Sequence, residues 1–171
     1  LLATLELLLE VHQHHVVAAR LELHGATGRE VQAGLTTFTA MAYILAVGGE
    51  LNGPVIGAIF TIVGFAAFGK HPRNIVPIMA GVFLGSLAKP WNVDDPSILL
   101  AALFGTTLAP IAGRFGWHWG VVAGFVHSSA ALTVGPLHAG LNLYNNGFAA
   151  GIVASVLVPV IIAIQSRTRR P

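Results

Sequence analysis

Asn142, Tyr144, Asn145 and Asn146 fall in one short stretch between two long apolar runs, with no charged residue beside them. Amides supply donors and acceptors together, and a phenol adds one more of each. Such a set could replace the hydration of a neutral polar solute such as an amide, urea or a polyol without a charged partner. The same residues also suit an exposed turn, since Asn and Gly tolerate positive φ. His127, with Ser128 and Ser129, sits inside an apolar run. A neutral imidazole there could relay a proton or accept a hydrogen bond from solute. The alternative is helix packing, with the serines bonded to their own backbone carbonyls. His138 follows closely enough for a His127/His138 pair, although two imidazoles without a carboxylate make a poor zinc site. Glu50 beside Asn52 could hold a cation or a proton, or simply mark a solvated loop end. Thr36, Thr37 and Thr39 are expected to bond their own helix backbone, as are Thr106 and Thr107. His12-Gln-His-His15 lacks the third fixed ligand a metal needs and reads as a surface cluster. No triad, phosphate loop or carboxylate pair stands out, so the sequence points away from an enzyme and requires no cofactor and no metal.

The elements that position these residues follow from composition. Of 171 residues, 54% are hydrophobic and only 9% charged, with a mean hydropathy of +0.74. Soluble domains carry about 25% charged residues, and seven acids and nine bases cannot cover a core of this size. A bilayer supplies the missing solvent. Twenty glycines fit that reading, because small residues let helices approach closely in lipid. The bases are dispersed rather than gathered into an aromatic-studded stripe, so no nucleic acid partner is expected. There is no cysteine, which excludes disulfides and thiolate metal sites. No basic region precedes a short apolar run, so no signal peptide is expected, and a start at Leu1 rather than Met is compatible with a fragment.

Residues 1–34 read as an amphipathic or interfacial segment. Leu1, Leu5, Leu8 and Leu9 share a helical face opposite Glu6, Glu10 and Gln13. Burying both carboxylates at mid-bilayer would cost roughly 2.5–3.5 kcal/mol each. A turn is expected at Gly25-Ala-Thr-Gly28. A transmembrane domain is expected over 35–165, followed by a basic cytoplasmic tail at 166–171. Its spans are placed at about 33–48, 54–69, 75–88, 97–113, 119–135 and 148–165. Most are shorter than the ~20 residues a straight span prefers, so one or two are expected to be broken or re-entrant.

Charge orients the spans. With the C-terminus cytoplasmic, Lys70, Arg73, Arg114, Arg167, Arg169 and Arg170 share one side, and Lys89 is the one loop base on the other. Trp117-His-Trp119 reads as an interfacial belt. Asn52-Gly-Pro-Val-Ile-Gly57 and Asn146-Gly-Phe-Ala-Ala-Gly151 share an Asn-Gly-x-x-x-Gly pattern before an apolar run. That echo fits either a parallel repeat or plain glycine packing faces.

Gly49-Glu-Leu-Asn-Gly-Pro-Val-Ile-Gly57, Gly69-Lys-His-Pro-Arg-Asn74, Gly105-Thr-Thr-Leu-Ala-Pro-Ile-Ala-Gly113 and Leu141-Asn-Leu-Tyr-Asn-Asn-Gly147 resemble an uncharacterised bacterial integral membrane family. It is of the domain-of-unknown-function type, number 1576, and the resemblance covers about 35–165. It implies two copies of such a region per protein, with this chain as one half, and carries no activity. Tyr144-Asn-Asn-Gly147 is also similar to the Tyr-Asn-Gly re-entrant element of urea transporters, and Asn52-Gly-Pro54 to their Asn-Pro-leading segment. That likeness implies Asn145, Asn146 and Gly147 at the cap of a pore half-helix. Gly34-Leu-Thr-Thr-Phe-Thr-Ala-Met-Ala-Tyr43 looks like an opening segment of nucleobase permeases.

The expectation is an all-α, multi-pass protein of a bacterial cell membrane, with a channel or transporter function for a small neutral polar solute. The substrate set is Asn142, Tyr144, Asn145, Asn146, His127, Ser128, His138, Glu50 and Asn52. The alternative is a non-transporting structural or interaction subunit. Its partners are the lipid bilayer, the solute, and a second copy or second repeat half. A transporter predicts that the polar residues converge, an assembly module that glycine faces point outward, and an enzyme that the two imidazoles meet.

Overall fold

The computed structural model describes residues 26–139 and 142–168, and every described element is helical. The expected amphipathic face at Leu1–Gln13 and the His12–His15 cluster lie outside the described residues, as do Arg169 and Arg170.

Helix α1, Ala26–Ala46, begins ahead of the expected span. The turn expected at 25–28 is helical from Ala26, so the boundary expected at residue 34 falls inside a continuous helix. Thr36, Ala40 and Ile44 are fully buried at four-residue spacing, which defines its inner face. Thr36, Thr37 and Thr39 donate to the carbonyls of Gln32, Ala33 and Leu35 at 2.7 Å, as their position inside a helix predicts. The chain leaves the helix through Gly48, whose φ of +76° suits glycine.

Helix α2, Gly53–Ala66, starts where Asn52 Oδ1 accepts the Val55 N–H at 3.1 Å, with Pro54 in the first turn. Helix α3, Pro72–Leu87, is capped by Asn74, whose Oδ1 accepts the His71 N–H at 3.0 Å while its Nδ2 donates to Gly69 O at 2.9 Å. The fourth expected span is broken. Helix α4, Pro96–Gly105, passes through a 3-10 turn at Thr106–Leu108 into α5, Ala109–Phe115. Pro110 has no N–H for the carbonyl of Thr106 and sits in the first turn of α5, where that donor is not needed, so it suits the restart after the 3-10 turn.

After Gly116 come α6, Trp117–Thr133, and a 3-10 turn, Gly135–His138. Helix α7 is Asn142–Thr168. The asparagine stretch, expected to join two spans, is thus the first turns of α7, and the basic tail expected from 166 is still helical at Thr168.

Helix α4 is the hub. From Ile98 to Leu103 every residue is buried, as in a helix surrounded by others. On one side it packs with Ile44, Ile59, Ile62, Ile75 and Met79; on another, Ile98, Ala101 and Ala102 meet Val82 and Ala131. Helices α3 and α6 make the closest approach. A Cβ on Gly81 would collide with Val121 O, and one on Gly124 with Ile78 O. Gly120 fits between Pro77 and Ala112. Residue numbers rise together along this contact, so α3 and α6 run parallel. Along α6 against α4 and α5, Gly105 lies by His127 and Ala112 by Gly120, so that pair is antiparallel.

Two segments, Pro96–Phe115 and Tyr144–Arg167, are long and apolar enough to cross a membrane. The first is mostly inside the bundle and the second mostly on its surface, where Ile152, Val156, Val160, Ile162 and Ile164 are exposed. Phe38, Phe60, Leu45 and Leu87 extend the apolar exterior around the other helices.

Candidate functional site

The inner face of α7 runs Asn145, Asn146, Ala149, Ala150, Val153, Ala154, Val158 and Ile161, all buried. This is helical spacing, and it carries the two asparagines into the protein as the opening turn of an apolar stripe. Opposite them on α6 is His127, 0% exposed. Its ring lies against Gly105, where a Cβ would stand 2.7 Å from His127 Cδ2, so the glycine makes room for the imidazole.

His127 Nε2 and Asn146 Oδ1 are 3.0 Å apart. An amide oxygen only accepts, so Nε2 carries the proton and Nδ1 presents a lone pair. That Nδ1 is buried and has no hydrogen-bond partner among the described residues; the same is true of Asn145 Oδ1. Asn145 points toward the turn that opens at Gly135, with its Nδ2 3.8 Å from the position of a Cβ there. Two acceptors are therefore held, without donors among the described residues, at the junction of α6, α7 and the turn between them. Buried polar atoms are nearly always paired, which makes the junction the most chemically demanding point of this asparagine stretch.

The other expected site residues go elsewhere. Tyr144 is 61% exposed and leaves the junction by the outer face of α7. Asn142 opens α7 and His138 closes the preceding 3-10 turn, and their backbones alone are described. Ser128, next to His127, turns toward α3: its Oγ donates to Phe125 O at 2.8 Å and accepts from Lys89 Nζ at 2.9 Å. Glu50 is exposed in the α1–α2 connection, and Asn52 is committed to capping α2. His127 and Asn146 are brought together, with Asn145 beside Asn146 on the same buried face of α7; Ser128, Tyr144, Glu50 and Asn52 do not join them. Among the described residues no three His, Asp or Glu groups could hold a metal.

Sequence reasoning missed the two lysines, Lys70 and Lys89, which it reads only as topology signals. Lys89 Nζ donates to Phe125 O and Ser128 Oγ, both at 2.9 Å, and lies 4.2 Å from the Phe125 ring centroid. Lys70 Nζ donates to Thr106 Oγ1 at 2.9 Å, at the break between α4 and α5, and lies 4.9 Å from the Phe65 centroid. Burial pushes the Lys70 ammonium down to about 8. It borders a cavity of about 170 Å³. The one signal for it in the sequence is that Lys70 follows an apolar helix directly, with only Gly69 between it and Phe68.

No curated protein and no solved structure matches the chain. The sequence does match, over residues 6–163, the family model described as Protein of unknown function (DUF1576), and the chain belongs to that family.

Proposed function

We propose that this is a multi-pass membrane protein whose six helical segments cross the bilayer in alternation, and that it passes a small neutral polar solute through the α6–α7 junction. The observation that carries solute passage is the pair of buried, unpartnered acceptors, His127 Nδ1 and Asn145 Oδ1. A solute with two N–H or O–H donors satisfies both and is dehydrated there without meeting a charge. His127 is fully buried, so a solute reaches Nδ1 only when the ends of α6 and α7 part.

The crossing directions support the alternation. Parallel α3 and α6 are the third and fifth segments, and the antiparallel α4–α5 is the fourth. Exposed Val156, Phe38 and Phe60 find in lipid the surroundings that water denies them. Lys70, Arg73 and Arg114 are then cytoplasmic together with the C-terminus.

A second reading, a subunit built for assembly, is favoured by the glycines that face nothing. A Cβ at Gly53, Gly57 or Gly64 on α2, or at Gly147 or Gly151 on α7, would have open space within 4 Å. These are flat strips against which another helix could lie, a second copy or a second repeat half.

Osmotic-shock light scattering on proteoliposomes separates the two. Faster permeation of one neutral solute by wild type, abolished in a correctly inserted Asn145→Leu/Asn146→Leu variant, is the result expected. Permeation equal to that of empty vesicles sinks solute passage and leaves assembly.

A further inference from the structure

Lysine at a helix end ordinarily lays its stem along apolar surface and puts its ammonium in water. Lys70 does the reverse. Its chain turns at Gly69, with φ of +100°, and its ammonium reaches back to Thr106, midway along the Pro96–Phe115 segment. The Thr106 hydroxyl spends its own proton on Leu103 O at 2.6 Å, so it meets the ammonium with a lone pair. One of three ammonium donors is used in this way, and the Phe65 ring faces the charge from 4.9 Å. Among the described residues no acid, Glu30, Glu50, Asp94 or Asp95, forms an ion pair with it. A half-buried cation with two donors unused and no counter-charge among the described residues is unstable unless something supplies the charge.

The surrounding cavity indicates what does. Its polar groups are Lys70 and the exposed Thr107, whose hydroxyl is free to donate; both ends of the Asn74 amide are taken by the cap of α3. Its walls are Phe65, Phe68 and Pro110, and both phenylalanine rings are half exposed on the outside of the bundle. Two ammonium donors and a hydroxyl lining one cavity suit an oxyanion better than a halide, and aromatic walls suit a ligand with an apolar body. About 170 Å³ holds a phosphate and the first carbons of its ester, so any longer chain lies along the outer, half-exposed faces of Phe65 and Phe68, whose rings pack on each other with centroids 6.1 Å apart.

We infer that the Lys70 pocket binds the phosphate of an amphiphile, with the oxyanion on Lys70 Nζ and the Thr107 hydroxyl and the apolar body along Phe65 and Phe68. The bilayer offers such a molecule directly as an anionic phospholipid, and a soluble phosphate ester presents the same group. The inference shares the membrane reading with the proposed function and is independent of solute passage.

The test uses the full chain in nanodiscs of phosphatidylcholine, alone or mixed with phosphatidylglycerol, and reads retained lipid by native mass spectrometry. Wild type and Lys70→Arg are expected to retain phosphatidylglycerol about fivefold over phosphatidylcholine, the scale of one cation near an anionic surface. Lys70→Met, which leaves the Thr106–Leu103 bond intact, is expected to lose the preference. In parallel, acylation of the Lys70 amine by an anhydride is followed on wild type in pure phosphatidylcholine discs, with and without inorganic phosphate. A lipid preference that depends on Lys70 assigns the site to phospholipid. Protection of Lys70 by inorganic phosphate without a lipid preference assigns it to a soluble ester. Neither effect, or a lipid preference unchanged in Lys70→Met, overturns the inference.

Discussion

Replacing Asn146 by Leu should cost more than the hydrogen bond it removes. In wild type His127 Nε2 is paired with Asn146 Oδ1, and Nδ1 is already unpartnered. Asn146→Leu would leave both nitrogens of a fully buried ring without partners. Hydrogen bonds between helices in a bilayer contribute about 0.6 kcal/mol on average and up to about 1.7. A donor left unsatisfied in the interior costs about 1–3 kcal/mol. The stranded N–H therefore outweighs the lost bond, and the single variant should lose about 2 kcal/mol. His127→Leu takes the imidazole donor from Asn146 Oδ1 and should lose a similar amount, since Gly105 leaves room for a branched side chain where the ring lay. The double variant strands neither partner. It should be about 1 kcal/mol more stable than the sum of the singles predicts. Unfolding in mixed micelles, followed by the fluorescence of Trp117 and Trp119, measures all four corners of the cycle. Additivity within about 0.5 kcal/mol would refute the pairing, because residues that share a buried hydrogen bond must couple. Nitrogen-15 shifts give a second check: the proton should be on Nε2, and a proton found on Nδ1 would reverse which ring atom faces a solute.

Two further outcomes follow from the packing and from Lys70. Gly124→Ala places a methyl against Ile78 O, a backbone atom that cannot swing aside, and should destabilise by about 1–3 kcal/mol; Gly57→Ala meets open space and should leave the thermal midpoint unchanged or slightly raised. For Lys70 the folded value of about 8 lies below the unfolded 10.5, so the unfolded chain holds more protons between the two. The cost of the buried cation, about 3 kcal/mol, is present in full below pH 8 and relieved as pH rises toward 10.5. The stability of wild type relative to Lys70→Met should therefore climb over that window, and a flat difference would count against burial of the charge.

Glycine and proline make the helical segments legible. Asn52 before Gly53-Pro54, Pro72 after Lys70-His71, and Gly116 before Trp117 each mark a boundary whose chemistry is local, so the sequence locates it without knowledge of the neighbours. The break in the fourth segment, expected as one span over 97–113, is not legible in this way: Pro77 and Pro159 lack the same N–H and lie inside continuous helices, so proline alone does not mark it. Asn142–Asn146 misleads because Asn-Asn-Gly is equally a turn signal and the opening of a buried stripe. What decides is the spacing onward from Asn145 and Asn146 to Ala149, Ala150 and Val153, which continues the asparagines' face into the core. Burial against His127 overrides the weak helix propensity of asparagine, and no local window of sequence contains that tertiary contact.

The echo between Asn52-Gly53 and Asn146-Gly147 separates for the same reason. Asn52 has a free helix end to cap, and Asn146 has an imidazole facing it, so one pattern serves two jobs set by surroundings. Lys70 is the extreme case. Its positive charge near a helix end predicts a side chain in water, and its inward course depends on a hydroxyl 36 residues away at a break in another helix. Charge in a sequence orients a bundle; where the ammonium goes is decided by which polar atom the fold leaves within reach. The two lysines thus sit at opposite ends of α3, and each turns its charge toward a hydroxyl on a neighbouring element, Thr106 for Lys70 and Ser128 for Lys89. A lysine that bonds both a hydroxyl and a backbone carbonyl, as Lys89 does, is nearly satisfied within the protein. One that bonds a hydroxyl alone beside a cavity is not, and that difference is why Lys70 rather than Lys89 calls for a ligand.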